Sequence, residues 1–74
     1  MTEATQQAVL HTLLDQVRQT RKAYNTGVVG VTYEDMAAAA KRYLTMQEAY
    51  VAAKQDRRPK RITQARVAAL LRSL

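Results

Sequence analysis

The chain contains no cysteine, phenylalanine or tryptophan. That absence limits the possible folds more than any motif does. A domain of 74 residues has a poor surface-to-volume ratio and ordinarily needs disulfides, a metal or a partner. Without Cys, disulfides and thiolate zinc sites are excluded. The single His11 builds no His-rich metal site. The core must come from 22 large apolar side chains, because the other 13 apolar residues are Ala. The expected source of added stability is association with another molecule.

Hydrophobic spacing places three helices along the chain, so the expected fold is all-α. The first covers 3–25, with Thr2 as N-cap and Glu3 in the first turn. Its stripe is Leu10, Leu13, Leu14, Val17 and Tyr24. Arg18, Arg21 and Lys22 suit its C-terminal dipole, and Asn25-Thr26-Gly27 supplies the stop. Residues 27–31, Gly-Val-Val-Gly-Val, favour extended backbone and form a short link. This link is expected to be a crossover or one strand pairing with a neighbouring chain.

The second helix covers 33–55. Thr32 and Asp35 have capping-box spacing, and Val31 with Met36 has staple spacing. Its apolar residues surround most of its circumference, which implies burial on more than one side. A basic connector, 56–61, follows; Pro59 keeps it out of a helix. The third helix covers 63–74, again with a staple pair, Ile62 and Val67. Val67, Leu70, Leu71 and Leu74 form its one-sided stripe. Together with Met36, Ala40, Tyr43, Leu44, Tyr50 and Val51, these residues are the expected helix and oligomer packing surface.

The net charge of +6 is unevenly placed. Residues 1–53 carry five basic and five acidic groups, whereas residues 54–74 carry seven basic groups against Asp56 alone. Lys54, Arg57, Arg58, Lys60, Arg61 and Arg66 are therefore the expected contacts to nucleic acid or an acidic partner. A one-signed cluster this dense exceeds what solubility requires.

Catalysis has little to rest on. With one Ser, one His and no Cys, a nucleophile–base–orienter set does not assemble. Glu34 and Asp35 are adjacent helical positions, so they diverge and read as capping charges. No cofactor motif, metal ligand set or small-molecule site is expected. Gly27-x-x-Gly30 lacks the basic centre of a nucleic-acid clamp. The seven-residue spacing of Tyr43 and Tyr50 fits core or subunit contact better than base stacking. The run 62–71, Ile-Thr-Gln-Ala-Arg-Val-Ala-Ala-Leu-Leu, resembles the first helix of a helix-turn-helix, but no recognition helix follows within this sequence. No apolar run reaches the ~18–20 residues of a membrane span, and the first residues do not read as a signal peptide. An intracellular or virion location without a membrane partner is expected.

Ala23-Tyr24-Asn25-Thr26-Gly27, then Val28-Val29-Gly30-Val31-Thr32-Tyr33, then a capped helix from Glu34-Asp35-Met36, resembles small tailed-phage head–tail joining proteins of the lambda type. The resemblance covers about residues 10–52. Those proteins carry a two-stranded hairpin where this sequence has room for one short strand, and no functional residue carries over. The resemblance implies a non-enzymatic virion part present in several copies around a portal, with the basic cluster facing DNA or an acidic portal surface. The leading expectation is a structural or adaptor protein within a homo-oligomer or multiprotein assembly such as a portal or tail complex. The rival is a small DNA- or RNA-binding regulator.

Overall fold

The computed structural model describes residues 2–74. It contains three helices: α1 (Glu3–Asn25), α2 (Tyr33–Lys54) and α3 (Gln64–Ser73). Each begins where a threonine hydroxyl accepts a backbone N–H. Thr2 caps Thr5, Thr32 caps Asp35 and Thr63 caps Arg66. At α2 the Asp35 carboxylate also accepts the Thr32 N–H at 2.9 Å, completing the capping box.

α1 and α2 form an antiparallel hairpin. One end is closed by the Tyr24 and Tyr33 rings, 6.2 Å apart and edge-to-face. The other is joined by Lys54 and Glu3, whose charged groups lie 2.7 Å apart. This pair is exposed, so it contributes little to stability. α3 packs on α2 and barely touches α1. The all-round apolar character of α2 thus has its reason: α2 is the middle layer.

The core cluster is Val17, Met36, Ala39, Ala40, Leu44, Ile62, Val67 and Leu71, with Tyr43, Leu70 and Leu74 packed against it. Ala39 and Ala40 are almost fully buried, where a larger side chain would hold the helices apart. Ile62 and Val67, the second staple pair, both reach this core. Tyr50 is half-buried outside the cluster, and Val51 remains exposed.

Two sequence expectations change here. The α1 stripe is covered at one point only. Val17 is buried, Leu10, Leu13 and Leu14 are half-buried and Tyr24 is exposed. α1 is covered by α2 alone, because α3, with 10 residues, packs on α2 and barely touches α1. The 27–31 link contains turns and no strand among the described residues. Gly27 sits at φ +75° and Gly30 at φ +89°, backbone that β-branched residues avoid. The N–H groups of Gly27 and Val28 return to the carbonyls of Tyr24 and Ala23. That is a Schellman termination, and it reverses the chain before it can extend.

α2 ends in the same way, but with a different residue at the left-handed position. The Asp56 N–H bonds to the Ala53 carbonyl and the Arg57 N–H to the Ala52 carbonyl. Asp56 takes φ +52°, where glycine is preferred. Asp56→Gly is therefore expected to raise the melting temperature by a few degrees, from relief of roughly 0.5–1 kcal/mol of backbone strain. A thermal melt checks this; an unchanged or lowered Tm would mean that the Asp56 side chain, rather than backbone permissiveness, sets the turn.

Candidate functional site

The basic connector leaves α2 through the Schellman turn, and this turn decides the roles of its cations. The reversal at Asp56 sends Arg57 back along α2 rather than outward. Its guanidinium meets Glu48, with Nη1 2.5 Å and Nη2 3.4 Å from the two carboxylate oxygens. The Lys60 backbone N–H donates to the same carboxylate at 3.0 Å. The connector therefore folds back onto α2, and Ile62 enters the core just beyond it.

Glu48 occupies the row Ala40, Leu44, Glu48, Ala52, spaced by four on one face of α2 and buried throughout. A carboxylate with an 8 % exposed side chain is tolerable only when its oxygens are paired. Here the Arg57 hydrogen bond, then the Lys60 amide, hold its pKa well below the usual 4.5, at about 2, against the opposing effect of burial. Arg66, in the first turn of α3, adds favourable charge from a greater distance. No buried side-chain polar atom lacks a partner among the described residues.

The six cations expected to contact a partner thus divide. Arg57, with a side chain 29 % exposed, is an internal brace, which corrects its assignment as an outward contact. Lys54 is engaged by Glu3 across the hairpin end. Arg58, Lys60, Arg61 and Arg66 are exposed, and their side chains form no ion pair among the described residues. Those four are the free cations of the connector and the start of α3.

Glu48 is the residue that sequence reasoning missed as part of this site. It entered the charge balance as one acid among others. A signal was present, because Leu44 and Ala52 at i−4 and i+4 are apolar. An acid on a buried row with no helical counter-ion needs a partner from elsewhere in the chain.

The remaining candidates resolve without chemistry. His11 is exposed, 3.6 Å from Asp15. Glu34 and Asp35 lie in the first turn of α2. The Tyr43 hydroxyl accepts from Gln47 at 3.3 Å. Among the described residues no three His, Asp or Glu side chains gather around a metal-sized site. Among the described residues no helix is long and apolar enough to cross a membrane. Comparison with known family models, curated proteins and solved structures gives no match.

Proposed function

We propose that the chain is a non-catalytic structural or adaptor protein that seats on the phosphate backbone of a nucleic acid through Arg58, Lys60, Arg61 and Arg66, within a larger assembly. The observation that carries this reading is the division of the cations. Every acid near the connector that reaches a basic partner takes Arg57 or Lys54, and four positive groups are left without an ion pair among the described residues, three on a loop braced to the helical body and Arg66 in the first turn of α3. Bracing matters because a pre-ordered loop loses less entropy on binding.

A phosphate partner fits this surface better than an acidic protein does. Protein interfaces centre on apolar and aromatic groups. The large exposed apolar residues here are Val51 on α2 and, at the hairpin tip, Tyr24, Val28, Val29 and Tyr33. That tip supports the assembly half of the proposal, since exposed apolar patches suit protein contact. The head–tail joining resemblance is one concrete form of such an assembly, with the cations against packaged DNA.

Binding of labelled duplexes of unrelated sequence, followed by anisotropy across a salt series, tests the reading. Four phosphate contacts are expected to give a slope of log Kobs against log salt between about −3 and −4, equal for all sequences. A sequence-selective affinity would favour the regulator reading. Absence of salt-sensitive binding would remove nucleic acid from the account.

A further inference from the structure

A second cationic site lies away from the connector. Arg18, Arg21, Lys22, Asn25 and Thr26 follow one another on the last two turns of α1 and, with Leu74 beyond α3, line a concavity of about 270 Å³. At ~30 Å³ per water it has room for a phosphate group and its remaining hydration. We propose that this concavity is a phosphate-binding site, independent of the connector surface.

Three observations support it. The spacing 18, 21, 22, 25 is that of one helix face, so the donors converge instead of dispersing. Arg18 has a weak ion pair with Asp15 at 3.7 Å, while Arg21 and Lys22 have none among the described residues. A helix C-terminus normally repels anions through its free carbonyls, but here three of the last four are occupied. The Lys22 carbonyl accepts from the Thr26 N–H and hydroxyl, Ala23 from Val28, and Tyr24 from Gly27. The Schellman turn thus weakens the usual repulsion, and three cations on two turns face what remains of it. Guanidinium and ammonium donors form charge-assisted hydrogen bonds to phosphate oxygens, and the Asn25 amide adds a neutral donor.

The test is an NMR titration of the full chain with inorganic tripolyphosphate, in wild type and in Arg21→Gln/Lys22→Gln. Gln is a good helix former, so the variant keeps α1. Saturable amide shifts across 18–26 are expected in wild type. The variant should weaken them by at least about tenfold while shifts across 58–66 stay as they were. A second titration with a short duplex separates the sources of the phosphate. Saturation of 18–26 at lower duplex than tripolyphosphate concentration assigns a nucleic-acid backbone; the reverse assigns a small phosphate compound. No saturable shift at 18–26, or shifts that the double substitution leaves unchanged, would overturn the site whether or not the connector binds.

Discussion

Replacing Arg58, Lys60, Arg61 and Arg66 together by Gln is expected to abolish duplex binding through the connector while leaving thermal unfolding nearly unchanged. The two halves of this expectation have separate causes. Binding falls because each phosphate contact contributes about 0.9 to the salt slope. Four such contacts make wild-type affinity drop about a hundredfold between 50 and 200 mM salt, and the variant loses that dependence. Stability holds because the four side chains are exposed and form no ion pair among the described residues. Lys60 contributes its backbone N–H to Glu48, which Gln preserves. Arg57 is left in place deliberately, since its removal would confuse lost binding with lost folding. Unchanged binding by the fourfold variant would exclude the connector from the mechanism.

Glu48→Ala is expected to lower Tm by roughly 10 °C or more, the largest stability effect of any single polar substitution in this chain. Ala is the better helix former, so the loss cannot come from helix propensity. It comes from the Arg57 guanidinium and the Lys60 amide, which lose their acceptor where the connector packs on α2. Glu48→Met combined with Arg57→Met should recover much of the loss, because removing both charges leaves neither unpaired. The pH profile has a defined sign. The folded-state pKa of Glu48 is depressed to about 2. Its contribution is therefore complete above the unfolded value near 4.5 and disappears as pH falls through about 2. Wild type should lose stability across that window, and Glu48→Gln should flatten the profile there. Circular-dichroism melts from pH 6 to 2 check both; a parallel loss in Glu48→Gln would assign the acid sensitivity to other carboxylates.

Local signals in the sequence carried much of the fold. The threonine caps at Thr2, Thr32 and Thr63 mark helix starts because a hydroxyl beside a free N–H acts within four residues. The all-round apolar second helix announced two packing partners, and α2 has them. Longer-range features were less legible. The α1 stripe marks the face turned to α2, but how deeply each of its residues is buried depends on that partner helix, which α1 itself does not encode. The Gly27–Val31 link suggested extended backbone from its valines; the αL requirement at Gly27 overrode that preference. The connector and its flanks, Lys54 to Arg66, read as six equivalent cations. Which one turns inward depends on Asp56 adopting a positive φ, and nothing in an Asp-Arg-Arg-Pro run distinguishes that from an open loop.

The most direct test of the central claim is residue-resolved NMR of wild-type protein titrated with a random-sequence duplex at low salt. Shifts are expected to concentrate at Arg58, Lys60, Arg61 and Arg66, with the Lys60 amide remaining protected by its bond to Glu48. Shifts absent from those four positions, or confined to the tip around Val28 and Val29, would contradict it.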